Sequence, residues 1–239
     1  MINKLIRKLV LKEKASPERY AEYLREKGVE LGKNVRFYSP SNTLVDLSAP
    51  WLISIGDNSK ITHGVIILTH DYSWAVLKKL PGREGNVLGA QSPVVIGKNV
   101  FIGMNAIITR GVTIGDNVIV GAGSVVTRDC ECNCVYAGNP AKKIMTIDEF
   151  YEKRASRQFD EAKKLALHYK NKFGKNPPKE IFSEYFMLFC SSEEAVEVPV
   201  FMSQMRTNDN LDKTIDYMEN NEPLFKSYED FLIACFEDK

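Results

Sequence analysis

The chain is short of several things, and each shortage narrows what it can be. It has three histidines in 239 residues, so an all-histidine metal centre would need every one of them. Its five cysteines are an odd number for a chain of this length, which does not suggest a disulfide framework. Cys130, Cys132 and Cys134 form a C-x-C-x-C run, but a zinc site needs a wider loop and a fourth ligand, so reduced thiols are expected there. The formal net charge is only +1, which gives no general case for nucleic acid as a partner. No stretch is long and apolar enough to span a membrane. The residues after Met1-Ile2-Asn3-Lys4 never form the apolar core of a secretory leader. A cytoplasmic protein able to bury a full core is the expectation.

Between Ile96 and Asp129 the ten-residue helical patterns of an ordinary βαβ protein are also missing. A six-residue repeat stands in their place. It runs Ile96-Gly97-Lys98-Asn99-Val100-Phe101, Ile102-Gly103-Met104-Asn105-Ala106-Ile107, Ile108-Thr109-Arg110-Gly111-Val112-Thr113 and Ile114-Gly115-Asp116-Asn117-Val118-Ile119. Val120-Gly121-Ala122-Gly123-Ser124-Val125 and Val126-Thr127-Arg128-Asp129 close it. The first position is always Ile or Val, and branched aliphatics at fixed spacing stack into one buried ladder. The fourth is Asn, Gly or Asp, the residues that best tolerate positive φ, so it reads as a corner. The fifth is Val, Ala or Ser, small enough for the inside of a narrow coil.

This pattern resembles the hexapeptide-repeat acyltransferases, together with the closing segment Ala137-Gly138-Asn139-Pro140-Ala141-Lys142. Within that family it is similar to maltose and galactoside O-acetyltransferases and to the acetyltransferases of surface-polysaccharide pathways. The resemblance covers about Leu31 to Met145. It implies a mainly β fold, a left-handed parallel β-helix with three hexads per turn, whose hand runs against the usual crossover preference.

The expected organisation is an N-terminal helical segment over 1–30, the coil over 31–145 with a protruding loop at 71–93, and a helical extension over 146–239. Ile2, Leu5, Ile6, Leu9 and Val10 form a helical stripe flanked by Lys4, Arg7, Lys8 and Lys12. Such a basic amphipathic helix suits packing on its own protein or a sister subunit better than a membrane surface. A second helix starts at Ser16-Pro17-Glu18 and stops at Gly28. The hexads begin at Leu31-Gly32-Lys33-Asn34-Val35, are irregular over Ser39 to Leu52, and return at Ile55. After His70 they break into Asp71 to Pro93, with the loop signals Pro81-Gly82, Gly85-Asn86 and Gly89. A loop this long inside a compact repeat is usually functional. Beyond Met145, Thr146-Ile147-Asp148-Glu149 is a capping box. Phe159, Ala162, Leu165, Ala166, Tyr169 and Phe173 form a stripe ended by Gly174. Further helices are expected over Lys179 to Cys190, Leu211 to Met218 and Tyr228 to Phe236.

Register separates the histidines. His168 belongs to the helical extension. His63 takes the third, outward position of its hexad. His70 takes the fourth, where it is a poor corner residue directly before the long loop, which suggests that it is kept for chemistry. In the resembling family a histidine at this place is the general base, and imidazole suits the task because it titrates near neutral pH. The resemblance further implies acetyl-CoA as cosubstrate, no required metal, and a groove between subunits of a homotrimer. Residue by residue it assigns coenzyme contacts to Met104, Ala122, Thr127, Arg128 and Lys142. The family's further basic position falls on Met145, for which Lys143 is the substitute. Asp71, Tyr72, Trp74 and Arg83 of the loop offer hydrogen bonds and an aromatic face for a sugar acceptor. The function implied is acetyl transfer to a hydroxyl of a sugar or polysaccharide precursor. N-acyl or xenobiotic transfer on the same scaffold, or a noncatalytic trimeric scaffold, are the alternatives. A hexapeptide carbonic anhydrase needs three zinc-binding histidines, and only His63 and His70 lie in the coil.

Overall fold

A computed structural model describes residues 10–237. The basic stripe expected over Ile2 to Leu11 lies outside them except for Val10 and Leu11. Contacts divide the chain into two compact units, Met1–Phe150 and Tyr151–Lys239.

In the first unit, helix α1 (Pro17–Glu26) starts where Ser16 Oγ accepts the Arg19 N–H at 3.3 Å, with Pro17 in its first turn. It buries Tyr20, Ala21 and Leu24 and gives way to Gly28 at φ 100°. The repeat then forms strands of two or three residues. These are β1 (Glu30–Leu31), β2 (Arg36–Phe37), β3 (Leu44–Val45), β4 (Ile53–Ile55), β5 (Lys60–Ile61) and β6 (Ile66–Ile67). The long loop is framed by β7 (His70–Asp71) and β8 (Ala90–Gln91) and carries the short helix α2 (Trp74–Leu77). The coil resumes with β9 (Val94–Ile96), β10 (Phe101–Ile102), β11 (Ile107–Ile108), β12 (Thr113–Ile114), β13 (Ile119–Val120) and β14 (Val125–Val126), and ends in β15 (Cys134–Ala137) and β16 (Lys142–Thr146).

Successive coil strands visit three sheets in rotation. The sheets run β1-β4-β9-β12, β2-β5-β10-β13-β15-β16 and β3-β6-β11-β14. Neighbours within the coil pair in parallel, with Ile96 beside Ile114, Ile102 beside Val120 and Ile108 beside Val126. Three hexads therefore make one circuit, and first-position residues meet first-position residues. Ile96, Ile102, Ile108, Ile114, Val120 and Val126 are all buried, as are the fifth-position Val100, Ala106, Val112, Val118 and Ser124. Each buried Val or Ile contributes roughly 1.5–3 kcal/mol relative to exposure. Ser124 is tolerated inside because its Oγ accepts the Gly138 N–H at 3.1 Å.

The fourth position does turn the corner, with φ of 54° at Asn99, 58° at Asn105, 76° at Gly111, 55° at Asn117 and 68° at Gly123. Asparagine also links circuits: Asn99 Nδ2 donates to Asn117 Oδ1 and Asn117 Nδ2 to Asn133 Oδ1, both at 2.8 Å. Asp129 departs from the column. Its carboxylate accepts the Thr113 N–H at 2.7 Å, and Asn133 takes the left-handed turn instead, at φ 57°. The stretch expected to be irregular, Ser39 to Leu52, holds β3 in register, Leu44 beside Ile66 and Val45 beside Ile67. The 3-10 turns Pro40–Asn42 and Pro50–Leu52 flank it and hide the period in the sequence.

Helix α3 (Ile147–Ala155) is entered through the expected capping box: Thr146 N–H donates to Glu149 Oε2 at 2.7 Å and Glu149 N–H to Thr146 Oγ1 at 3.2 Å. Helix α4 (Gln158–Phe173) stops at Gly174, φ 66°. The helix expected over Lys179 to Cys190 is instead two 3-10 turns, Lys179–Phe182 and Phe186–Leu188. Its aromatic rings answer to different partners: Phe182 and Phe189 pack on Phe231 at 5.0 and 4.8 Å, while Phe186 stacks on Phe201 at 4.9 Å. Those contacts outweigh the modest helix propensity of the segment. Helices α5 (Ser192–Val196) and α6 (Pro199–Met205) were not expected, although Ser191 and Glu194 form a capping box and Pro199 starts α6. Helices α7 (Leu211–Asn220) and α8 (Tyr228–Phe236) follow. Among the described residues no helix is long and apolar enough to cross a membrane.

Candidate active site

His70 does not turn a corner. It has left the coil as the first residue of β7, paired opposite Gln91, and its backbone is not left-handed. The reason lies one circuit earlier. Asp46 continues β3 past Val45, its N–H donates to the Ile67 carbonyl at 2.9 Å, and its side chain meets the departing chain. Asp46 Oδ2 accepts the Thr69 N–H at 2.9 Å and the Thr69 hydroxyl at 2.6 Å, and Oδ1 accepts the Ser48 N–H at 3.0 Å. His70 Nδ1 lies 2.6 Å from Asp46 Oδ2 and 3.2 Å from Ser48 Oγ.

The electrostatics follow from these contacts. Burial pushes the Asp46 carboxyl up, but the hydrogen bonds from Thr69, Ser48 and His70 outweigh it and hold the group well below the usual carboxylate range. An ionised Asp46 can only accept, so Nδ1 of His70 carries the hydrogen, and the lone pair of the neutral ring sits on Nε2. No described residue hydrogen-bonds Nε2, and the side chain is 37% exposed.

His63 is the contrast within the same coil. Its Nδ1 lies 3.1 Å from Ser39 Oγ and its Nε2 3.3 Å from Asn42 Nδ2, so both ring nitrogens are occupied. His168 is exposed on α4.

On the loop, Asp71 follows His70. Asp71 Oδ1 accepts the Ser73 N–H at 2.6 Å, and Oδ2 lies 3.7 Å from Arg110 Nη2. The Ser73 bonds first, and Arg110 after them, lower its carboxyl pKa. Tyr72 and Trp74 pack with ring centroids 4.8 Å apart, and Lys78 Nζ lies 5.8 Å from the Trp74 ring. Arg83 is exposed further along the loop.

The residues assigned to the coenzyme fall on two corners. Met104 and Ala122 are exposed and stacked on adjacent circuits, where the Gly123 N–H donates to the Met104 carbonyl at 2.7 Å. The approach requires glycine at 103, since a Cβ there would meet the Ala122 nitrogen at 2.5 Å. Thr127 and Arg128 are exposed at the end of β14. They leave the same sheet as His70, because Ile67 and Val126 both flank Ile108. That is two rungs of roughly 4.8 Å each. Lys142 is exposed at the start of β16, next to Ala141, whose N–H donates to the Val125 carbonyl at 2.8 Å. Lys142 pairs with Ala137 of β15, while Thr127 and Arg128 follow β14 and Met104 and Ala122 lie where the chain turns after β10 and β13. Lys143 is not a spare cation: its Nζ donates to Glu131 Oε2 at 2.8 Å. Among the described residues no group of three or more His, Cys, Asp or Glu is arranged to hold a metal.

Sequence reasoning missed Asp46 and Arg110. Asp46 was legible in principle: it follows the ladder residue Val45 in the second hexad position, where every hexad of the regular run has Gly or Thr. Arg110 had no such signal, because any polar residue suits the outward third position.

The model of the hexapeptide repeat of succinyl-transferase matches residues 93–128. Protein CapG of Staphylococcus aureus is 45% identical over 159 residues, which span 64% of this chain and 88% of that one. Among solved structures the chain is similar to a maltose O-acetyltransferase from Clostridium difficile 630, at 30% identity over 60% of this chain and 81% of that one, with a TM-score of 0.39. It is also similar to a galactoside acetyltransferase in complex with coenzyme A, at 28% identity over 60% of this chain and 80% of that one, with a TM-score of 0.42. With its hexads and a relative matched at this identity over most of its length, the chain belongs to the hexapeptide-repeat acyltransferase family.

Proposed function

We propose that this acyltransferase moves an acetyl group from acetyl-CoA to a hydroxyl of a sugar or polysaccharide precursor by direct attack, with His70 as general base. The observation that carries this reading is the Asp46–His70 pair, with Nδ1 held at 2.6 Å and Nε2 free. Nε2 takes the acceptor's hydroxyl proton as its oxygen adds to the thioester carbonyl. The resulting tetrahedral oxyanion collapses, the carbon–sulfur bond breaks, and the departing thiolate takes the proton back from the imidazolium. Asp46 stabilises the imidazolium while it exists.

Asp71, Trp74 and Arg83 are the acceptor-side residues in this reading. Met104 and Ala122 line the pantetheine arm, Thr127 and Arg128 follow it, and Arg128 and Lys142 meet the phosphates. The two-corner distribution of these residues supports a homotrimer in which one subunit lends a corner to its neighbour's site. The coil is read as left-handed, on the family resemblance.

An acceptor screen with thiol release tests the assignment. Acetyl-CoA-dependent release that requires a sugar hydroxyl is expected, and release driven only by amines would replace it with N-acyl transfer. Light scattering tests the assembly: a stable monomer with full activity would remove the shared site.

A further inference from the structure

The corner after β11 holds both ends of the loop. Gly111 turns it at φ 76°, and its N–H donates to the Pro93 carbonyl at 3.0 Å, where the chain returns to the coil. A Cβ on Gly111 would touch Ser92 Cβ at 3.4 Å, so the corner and the returning chain are already in contact. One residue earlier, Arg110 Nη2 lies 3.7 Å from Asp71 Oδ2, where the chain departs. Both side chains are little more than one-third exposed, 37% and 38%. The neck between these holds is slight: β7 and β8 pair only His70 with Gln91 and Asp71 with Ala90, and Ser92 N–H adds a bond to the Thr69 carbonyl at 2.9 Å. A two-stranded pair this short is not stable by itself.

The geometry points to Arg110 as a positioning residue, whose ion pair with Asp71 fixes the departing end of the loop beside His70 and so places the Trp74 region for the acceptor. The backbone bond from Gly111 secures the return, and Arg110 supplies the matching hold on the departure. Asp71 links the two parts of the argument, because its other oxygen accepts the Ser73 N–H that leads into α2. An isolated ion pair at such exposure is weak. This one acts together with the backbone bonds of the same neck. Its role in acceptor placement rests on the acceptor reading of the loop given above, whereas the hold itself can be measured without any acceptor.

The chain has two tryptophans, Trp51 and Trp74. Trp51 is 73% exposed, so Trp51→Phe leaves Trp74 as the single reporter of the loop. In that background, acrylamide quenching of Trp74 is compared among the parent, Arg110→Ala, Arg110→Lys, Asp71→Asn and the Arg110→Ala/Asp71→Asn double variant. Arg110→Ala and Asp71→Asn should each raise the quenching constant about twofold, with the double variant no higher than either and Arg110→Lys between. Unchanged quenching in Arg110→Ala overturns the hold, and additive effects in the double variant overturn the pairing. With an acceptor from the screen, Arg110→Ala should raise the acceptor KM about tenfold and leave the acetyl-CoA KM unaltered. Equal increases in both would make Arg110 merely structural. If the parent protein acetylates no sugar, the acceptor reading fails, while the quenching series still decides the hold.

Discussion

In the coil, Ile102 and Val120 are neighbours because three hexads make one circuit. In the helical unit, Phe182 and Phe231 are neighbours at 5.0 Å although nothing in their spacing relates them. Both regions bury apolar side chains completely, but only the coil does so by a rule. A rule makes exceptions visible. His70 and the break after it stand out because the regular circuits say what should be there. The helical unit offers no such background. Tyr151, Arg154, Gln158, Met187 and Tyr217 line a cavity of about 400 Å³, yet no repeat shows whether any of them departs from a packing role.

The division of labour that this contrast suggests is best attacked with one substitution in each region. His70→Ala should lower kcat/KM by ~10²–10⁴-fold, because it removes the proton acceptor, with acetyl-CoA binding retained. Turnover near the parent value would end the assignment. Phe231 is fully buried between Phe182, Phe189 and Phe225. Phe231→Ala should cost ~3–5 kcal/mol of stability in that unit, read by denaturant unfolding, with kcat/KM near normal where the protein remains folded. Loss of transfer in a folded Phe231→Ala protein would show that the helical unit takes part in the reaction and would erase the contrast.

Asp46→Asn sharpens the comparison inside the coil. A buried acceptor of bonds from both Thr69 and Ser48 is altered, and a loss of ~1–3 kcal/mol is expected. The pH dependence has a definite sign. Burial raises the Asp46 carboxyl, the bonds from Thr69, Ser48 and His70 more than offset this, and the folded value lies well below the usual carboxylate range. The stabilisation is therefore whole above the unfolded carboxylate pKa and is lost as pH falls through the lowered folded one. Melting temperatures of the two proteins should converge on acidification below about pH 4. A gap that stays constant from neutral pH into acid would mean that Asp46 is not held as an anion.

How much could be read in advance follows the same line. The ladder from Ile96 to Val126, the Asn99, Asn105 and Asn117 corners and the capping box at Thr146 were legible, because each depends on residues close in sequence or repeated at fixed spacing. His70 is singled out by its fourth position directly before the long loop, but the chain does not turn there: it leaves as a strand instead. Asp46 was hidden because Pro40 and Pro50 interrupt the hexads around it. The turns over Lys179 to Leu188 depart from the helix that the sequence predicts because aromatic partners distant in sequence decide that backbone. Arg110 is an ordinary outward residue until its partner is seen across the loop.

The smallest expected effects concern the basic residues of the coil's end, and they discriminate between cations that look alike in sequence. Arg128 and Lys142 are exposed, and neither makes an ion pair among the described residues. Lys143 is already committed to Glu131 at 2.8 Å. Arg128→Ala and Lys142→Ala should each raise the KM for acetyl-CoA about three- to tenfold, as loss of one exposed charge–phosphate contact implies. Lys143→Ala should leave it nearly unchanged. The increase should disappear with a truncated pantetheine thioester that lacks the nucleotide, since the missing contact is to phosphate. If Lys143→Ala weakens the full coenzyme as much as Lys142→Ala does, the Glu131 pair opens to admit phosphate and the assignment must move by one residue. If Arg128→Ala weakens both donors equally, its effect is on the shape of the coil's corner and not on the coenzyme's charge.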